Sequence, residues 1–233
     1  MVILWILLGI LGLALLYVLF LFVIAAFVDK NKLYNKDSRF YRAILNGATG
    51  FAMRVVRVHI HVEGAEKLPE GRFFLVSNHR SKFDPIITWY AFRKRPIAFI
   101  SKPENFKIPV FGRIVRRCCF MPINRDDARE AMTAIRQAAG LLTSDAVNVG
   151  IYPEGTRNPT DTMLPFHDGV FLIAQKAKVP IVAVTVRDTE LVAKRYPWKS
   201  THVYLTVRGV IPAETVAASR SGALSAMARE MME

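Results

Sequence analysis

The chain has 233 residues, and its 32 lysines and arginines outnumber its 19 aspartates and glutamates to give a formal net charge of +13. This length accommodates one globular domain with an appendage, and the positive charge favours an anionic partner: nucleic acid, an anionic membrane surface or a phosphorylated substrate. Its two cysteines, Cys118 and Cys119, are adjacent, which excludes a disulfide framework, favours a reducing compartment and predicts two small buried hydrophobic side chains.

The first predicted element is an apolar helix over residues 1–28, which contain no charged side chain. As a helix this run would reach about 40 Å, more than the roughly 30 Å hydrocarbon core of a bilayer. Five lysines and arginines follow it within residues 29–42, and none precedes it. The length of the run predicts a retained anchor in the cell membrane, and the charge asymmetry predicts that the rest of the chain lies on the cytoplasmic side.

Residues 38–57 form a second helical candidate in which apolar side chains alternate with arginines. Such a mixture is typical of a helix at headgroup level, which would form an in-plane hairpin with the first helix. An ordinary helix packed on the following domain explains the same pattern, and the sequence leaves both interpretations open, as it does whether residues 1–28 span the bilayer or lie in it. We assign 1–57 to an N-terminal membrane anchor with its juxtamembrane or interfacial helix, and 58–233 to one α/β domain.

After residue 57 the pattern changes to short apolar strands that alternate with helices. Strands are predicted at 58–62, 73–76, 97–101, 118–123, 147–152, 181–186 and 202–207. Helices are predicted at 85–92, 126–143, 168–177 and 214–231. This alternation predicts an α/β fold: a single layered domain with a mixed central sheet flanked by helices.

The first polar cluster is SNHRSKFD at residues 77–84, directly after a predicted strand. One interpretation is a turn in which Asp84 caps the helix that begins with Pro85. The other is an acid–base pair: a carboxylate that accepts the Nδ1 proton of His79 fixes the tautomer of the ring, and Nε2 then removes a proton from a hydroxyl. The octapeptide alone leaves both interpretations open.

The second cluster is YPEGTR at residues 152–157, which also follows a predicted strand. Gly155 lets a ligand approach the backbone, and Arg157 can hold a phosphate through two parallel hydrogen bonds. Glu154 either accepts a hydrogen bond from a polyol hydroxyl or pairs with Arg157 across the turn.

The third cluster is Pro122-Ile123-Asn124-Arg125, where Arg125 offers a second guanidinium. Residues 93–117 lead into it with eight basic side chains and one acidic side chain. This basic segment with interleaved apolar residues predicts a surface against anionic lipid or a site for an anionic thioester donor, and a solvated basic face is the alternative. All three clusters end strands, where open α/β sheets gather their ligands.

Together these residues resemble the glycerolipid acyltransferase family, most closely its lysophosphatidate acyltransferases. The first family motif, Asn-His-x-x-x-x-Asp, matches Asn78, His79 and Asp84, and the third, Phe-Pro-Glu-Gly-Thr-Arg, matches 152–157 with Tyr152 in place of phenylalanine. The second block resembles Lys102 to Arg125, and the fourth resembles Val179–Val182, with Ala183 where proline is usual. The resemblance covers residues 70–190.

The resemblance implies that His79, oriented by Asp84, is the general base for the free hydroxyl of a lysophosphatidate, which attacks the thioester of acyl-CoA or acyl carrier protein. It implies that Arg125 and Arg157 hold the phosphate and that Glu154 and Gly155 position the glycerol. Lys102 and Thr156 complete the substrate-binding set.

The same resemblance implies no metal and no cofactor besides the donor substrate, with membrane lipids as partners and no nucleic acid. His59 and His61 are interpreted as alternating strand residues. An acyltransferase or transacylase for a different lysophospholipid is the alternative function.

Overall fold

The structure is a computed structural model that describes residues 1–124, 127–160 and 162–233. Within these residues one sheet contains β1 (Val58–Glu63), β2 (Phe74–Ser77), β3 (Ile97–Ser101), β4 (Met121–Pro122), β5 (Asn148–Ile151), β6 (Ile181–Arg187) and β7 (Thr201–Ile211). The helices are α1 (Val2–Ala26), α2 (Arg39–Val55), α3 (Asp84–Ala91), α4 (Phe111–Arg117), α5 (Ala128–Thr143), α6 (Leu172–Ala177), α7 (Leu191–Arg195), α8 (Ala213–Ala218) and α9 (Ser221–Met232). The predicted fold class is confirmed.

The strand order is β1-β7-β6-β2-β5-β3-β4. Strands β6, β2, β5, β3 and β4 are parallel, so their carboxyl ends share one edge of the sheet, here called the carboxyl edge. Strand β7 is antiparallel to β6 and β1 is parallel to β7, so both of these strands begin at the carboxyl edge. The sheet is therefore mixed, and the segments that follow the parallel strands meet along one line.

The core lies around β2, where Phe73, Phe74, Leu75 and Val76 are fully buried. A parallel strand that is covered on both faces has apolar side chains on both, which explains why apolar and polar residues do not alternate in this segment. Burial of each large apolar side chain stabilises the fold by about 1.5–3 kcal/mol. The centre of the sheet is consequently a rigid platform for the loops at the carboxyl edge.

The fold corrects two predicted elements. The strand expected at 118–123 is reduced to Met121–Pro122, because α4 ends at Arg117 and Cys119 turns the chain with a φ of 63°. The single helix expected at 214–231 is divided into α8 and α9. Both cysteines are buried and unpaired as predicted, and burial raises the pKa of each thiol to about 12.

Helix α1 is long and apolar enough to cross a membrane, by its length and composition, and nearly all of its side chains are exposed. Its last turn is fastened to the rest of the chain. Arg113 donates hydrogen bonds to the carbonyls of Ala25 (3.1 Å) and Ala26 (3.4 Å), and the Tyr41 hydroxyl donates to the carbonyl of Ile24 (2.9 Å). These donors satisfy carbonyls that a helix end leaves free, and they hold the C-terminus of α1 against α2 and α4.

Helix α2 packs on the sheet domain, as one of the two interpretations of residues 38–57 predicts, and its position at headgroup level stays a prediction. One side packs inward through Leu45, Gly50 and Met53, and an added Cβ at Gly50 would lie 2.6 Å from the hydroxyl of Tyr90 in α3. Its other side leaves apolar residues exposed, among them Phe51 at 68%. Helix α2 is thus packed on the sheet domain and still presents an apolar outer face; the boundary at residue 57 stays a prediction.

Several basic residues of 93–117 are used inside the fold, which the sequence did not indicate. Arg95 donates to the carbonyls of residues 69–71, and Arg117 donates to the carbonyl of Lys36. The guanidinium of Arg116 lies over the ring of Phe106. Together with Arg113, these side chains join segments of the fold, so the charge of this segment is only partly available to a lipid surface or a donor.

Candidate active site

The first and second clusters meet at the carboxyl edge because β2 and β5 are neighbouring parallel strands. His79 follows β2 and Tyr152 follows β5, and the two strands pair through Val76 and Ile151. Asn78 fixes the start of the first loop: its side-chain amide donates to the carbonyl of Val186 (3.1 Å) and accepts from the amide of the same residue (2.7 Å). Strand order thus brings together two motifs that are about 75 residues apart in the sequence.

His79 and Asp84 form the predicted pair, with Nδ1 of the ring 2.7 Å from Oδ2 of the acid. The carboxylate is fully buried, whereas the imidazole side chain is 18% exposed. The capping interpretation is wrong: Phe83 occupies the N-cap position of α3 and makes no side-chain cap hydrogen bond, and Asp84 is the first residue of the helix. Because the carboxylate accepts the Nδ1 proton, Nε2 carries the lone pair, and within the described chain Nε2 has no hydrogen-bond partner.

Asp84 is held by four further donors among the described residues. Its Oδ2 also accepts from the backbone amides of Arg80 (2.6 Å) and Ser81 (2.8 Å), and its Oδ1 accepts from the hydroxyls of Ser81 (3.1 Å) and Thr189. These bonds fix the acid in one orientation toward the ring. Thr189 lies just beyond β6, 105 residues from Asp84 in the sequence, and no local pattern identified it.

Tyr152 supports the imidazole from one face. The two rings stack with centroids 4.4 Å apart and an interplanar angle of 23°, and Tyr152 stacks in turn on Phe99. Its hydroxyl donates to Thr88 at 3.3 Å. Burial raises the pKa of Tyr152 well above its usual value, the Asp84 carboxylate raises it further, and the Thr88 hydrogen bond opposes both. The phenol therefore stays neutral and acts as an aromatic support.

Glu154 contacts the main chain of the first loop. Its side chain is buried, with one carboxylate oxygen accepting from the amide of His79 (2.7 Å) and the other from the amide of Leu164 (2.9 Å). The carbonyl of His79 accepts from the amide of Asn158 at 2.6 Å. Among the described residues Glu154 makes no ion pair with Arg157, so the salt-bridge alternative for this turn is not supported. The expected role of Glu154 in positioning the glycerol stays a prediction.

The other predicted substrate-binding residues that the structure describes follow β5 and β3, two neighbouring strands of the sheet. Gly155 adopts a φ of 73°, a conformation that favours glycine and lets the chain turn beside the dyad. Thr156 and Arg157 follow it on the exposed part of the loop, and Lys102 is exposed at the end of β3. Arg125 lies outside the described residues.

An ion pair that the sequence did not indicate joins the loops around the dyad. Arg80 contacts both carboxylate oxygens of Glu190 at 3.0 Å and donates to the carbonyls of Pro159 and Thr160 at 3.1 Å. Burial alone would raise the pKa of Glu190, but the hydrogen bonds and charge of Arg80 lower it below its ordinary value. Arg80 thereby connects the loop that follows β2, the segment that follows β5, and the start of α7.

A groove of about 1030 Å³ lies at the end of the carboxyl edge that is formed by β3 and β4. It lies between the last turns of α1, the segments that follow β3 and β4, and the first turns of α5, and its lining includes Phe22, Ala25, Pro103, Val110 and Asn124. His79 does not line it. The groove shows that the end of α1 adjoins the same edge as the dyad.

The histidines of β1 lie at the outer side of the sheet, where β7 and β6 separate β1 from β2 and the dyad. His59 and His61 stack on His202 of β7 on an exposed part of the sheet, and Nε2 of His61 is 2.9 Å from Nδ1 of His202. In the part of the chain that the structure describes, no group of three or more His, Cys, Asp or Glu side chains is arranged to hold a metal ion.

The chain matches the acyltransferase family model over residues 59–187. It is 32% identical over 158 residues to a 1-acyl-sn-glycerol-3-phosphate acyltransferase of Chlamydomonas reinhardtii, covering 67% of this chain and 47% of that protein. It is 27% identical over 159 residues to a protein of the same name from Streptococcus pneumoniae, covering 67% of this chain and 58% of that one. The chain thus spans about half the length of these curated relatives.

A solved structure shares the fold. The crystal structure of the 1-acyl-sn-glycerophosphate acyltransferase from Thermotoga maritima superposes with a TM-score of 0.66 at 24% sequence identity, covering 82% of this chain and 76% of that one. The match extends the similarity beyond the residues covered by the family model.

Proposed function

Because the chain belongs to the acyltransferase family, we propose that it transfers a fatty acyl group from a thioester donor to the free hydroxyl of 1-acylglycerol 3-phosphate, giving phosphatidate. The observation that carries this proposal is the buried Asp84 carboxylate 2.7 Å from Nδ1 of His79, which leaves Nε2 without a partner in the described chain. The names of the relatives indicate which acceptor to propose, and His79 of this chain is the proposed general base.

The geometry supports a general-base mechanism. Nε2 of His79 removes the hydroxyl proton of the acceptor, and the resulting imidazolium is stabilised by Asp84. The acceptor oxygen attacks the thioester carbonyl, a tetrahedral oxyanion forms, and collapse breaks the carbon–sulfur bond. The thiolate leaves with the proton from the imidazolium, so the histidine returns to its neutral form.

The surrounding loop residues support a phosphorylated acceptor. Arg157 is exposed one short loop from the dyad and can grip a phosphate with two hydrogen bonds. We propose that Arg125 and Lys102 complete this anion site, and that Gly155 and Thr156 lie beside the glycerol. Glu154 contributes by holding the amide of His79, which fixes the loop that the acceptor approaches.

The proposal places the reaction at a membrane. Helix α1 exposes its apolar side chains, and the positive residues of 30–42 favour the cytoplasmic side of the cell membrane for the sheet domain. The acceptor already carries one acyl chain, and each CH₂ moved into water costs about 0.8 kcal/mol. An enzyme at headgroup depth meets this acceptor without extracting it. The donor is acyl-CoA or acyl carrier protein, and no further cofactor is proposed.

The test is a donor-by-acceptor assay on the full chain in lipid nanodiscs. Acyl-CoA and acyl carrier protein are each combined with lysophosphatidate and with lysophospholipids that carry larger headgroups, and products are identified by mass. We expect phosphatidate from lysophosphatidate, and at least a ~100-fold lower rate for His79→Ala, the low end for removal of a general base. Product only from another lysophospholipid would establish the alternative acceptor, and undiminished turnover by His79→Ala would remove the base assignment.

A further inference from the structure

The end of α7 and the short loop that precedes β7 expose aromatic and basic side chains together. Residues 194–199, here called the 194–199 loop, read KRYPWK. Trp198 is 84% exposed and Tyr196 is 44% exposed. A tryptophan this exposed leaves a large apolar surface in water. Three basic residues, Lys194, Arg195 and Lys199, lie within four positions of it in the sequence.

The 194–199 loop lies at the carboxyl edge of the sheet. Strand β7, which it precedes, begins at that edge because Tyr204 pairs with Arg187 at the end of β6. The loop also contacts the end of α2: Arg57 donates to the carbonyl of Trp198 (3.4 Å), and its own carbonyl accepts from the amide of Thr201 (3.0 Å). The loop is therefore beside the C-terminal turns of α2.

That end of α2 continues the exposed apolar surface. Phe51 is 68% exposed and Val55 is 48% exposed, and Arg54 lies between them in the sequence. Two elements that are far apart in the chain thus present the same combination of apolar and positive side chains at one end of the carboxyl edge.

The opposite end of the carboxyl edge holds the end of α1, beside the segments that follow β3 and β4. The strand order places β1 and β7 at one side of the sheet, β3 and β4 at the other, and β2 and β5 with the dyad between them. Exposed apolar features therefore lie on both sides of His79 along one edge.

We propose that the 194–199 loop is a second membrane contact, with Trp198 at headgroup level and Lys194 and Lys199 against anionic lipid. Tryptophan prefers the membrane–water interface, and lysines next to it are attracted to the negative surface of the cytoplasmic leaflet. The contact continues the apolar face of α2 and turns the carboxyl edge toward the bilayer. The inference rests on the proposed membrane location and is independent of the acyl-transfer chemistry.

The experiment uses the full chain in nanodiscs of phosphatidylcholine and phosphatidylglycerol, with and without a lipid that carries a spin label near its carbonyl group. The emission of Trp198 is obtained as the difference between wild type and Trp198→Phe, since Trp5 and Trp89 contribute to both. We expect this difference emission to be quenched by the labelled lipid and shifted to shorter wavelength relative to exposed tryptophan.

A charge variant and its matched control complete the test. K194Q/K199Q removes two charges from the loop and is expected to weaken the contact by roughly fivefold per lysine, seen as reduced lipid quenching. K94Q/K176Q removes two charges from exposed lysines that precede β3 and β6, at the opposite edge, and is expected to leave the quenching unchanged.

Difference emission that the lipid label does not quench, but that acrylamide in water does, would overturn the inference, as would equal effects of the two charge variants. If quenching is found and no acyl transfer is detected, the proposed reaction fails and the membrane contact stands.

Discussion

Replacement of Asp84 by asparagine tests whether the acid acts through the imidazole. The amide keeps the shape of the side chain: its oxygen can still accept from the amides of Arg80 and Ser81, and its nitrogen can donate to the hydroxyls of Ser81 and Thr189 once they rotate. The charge that stabilises the imidazolium of His79 is lost. A hydrogen bond to a charged partner contributes about 1.5–3 kcal/mol, which corresponds to about a 10- to 150-fold lower kcat.

A double-mutant cycle separates this role from a purely structural one. Rates of phosphatidate formation are measured for wild type, Asp84→Asn, His79→Ala and the double variant, with thermal unfolding of each as the control for folding. If Asp84 acts through the ring, its replacement changes the residual rate little once His79 is absent. Equal losses in both backgrounds would refute the reasoning, because they would show that Asp84 only holds the loop through the amides of Arg80 and Ser81.

Three further predictions follow from single side chains. Arg157→Ala is expected to raise KM for lysophosphatidate while KM for the donor stays constant; an unchanged acceptor KM would place the phosphate elsewhere. Glu154→Gln turns an amide nitrogen toward a backbone N–H donor, so thermal unfolding should show a stability loss of about 1.5–3 kcal/mol, and an unchanged midpoint would contradict the buried bonds. The lowered pKa of Glu190 means that its pair with Arg80 stabilises the fold above the ordinary value of 4.5 and loses this contribution as pH falls through the folded-state pKa. The stability difference between wild type and Glu190→Gln, followed by denaturant unfolding against pH, should therefore be constant near neutrality and shrink in acid; a difference that grows in acid would contradict this sign.

Local pattern in the sequence predicted the two strands that carry the site, β2 and β5, but it predicted neither α4 nor α7. The apolar run before Ser77 and the run before Tyr152 predict buried strands. The polar residues at the ends of these strands predict that ligands bind at that edge of the sheet. The spacing of His79 and Asp84 is compatible with a pair across a loop, and the resemblance to the family selects that interpretation over a simple turn. These signals are local, because periodicity and turn residues depend on neighbours in the chain.

Some elements were predicted incorrectly because two structures share one local pattern. The apolar residues from Cys118 to Ile123 read as one strand, yet most of them complete the turn after α4 and only two pair with β3. The arginines of 93–117 read as a surface, yet Arg95 and Arg113 donate to carbonyls of distant segments. An arginine gives the same local sequence pattern whether its side chain lies on the surface or bonds to carbonyls inside the fold.

The family, the apolar N-terminal helix and the two residues of the dyad could be predicted from the chain alone, since each is a contiguous or closely spaced pattern. The hydrogen bond from Thr189 to Asp84, the hydrogen bond that Glu154 accepts from the amide of His79, and the pair of Arg80 with Glu190 are seen only in the folded protein. These partners lie on segments that the order of strands in the sheet brings together, and strand order arises from packing over the whole domain rather than from any short stretch of residues.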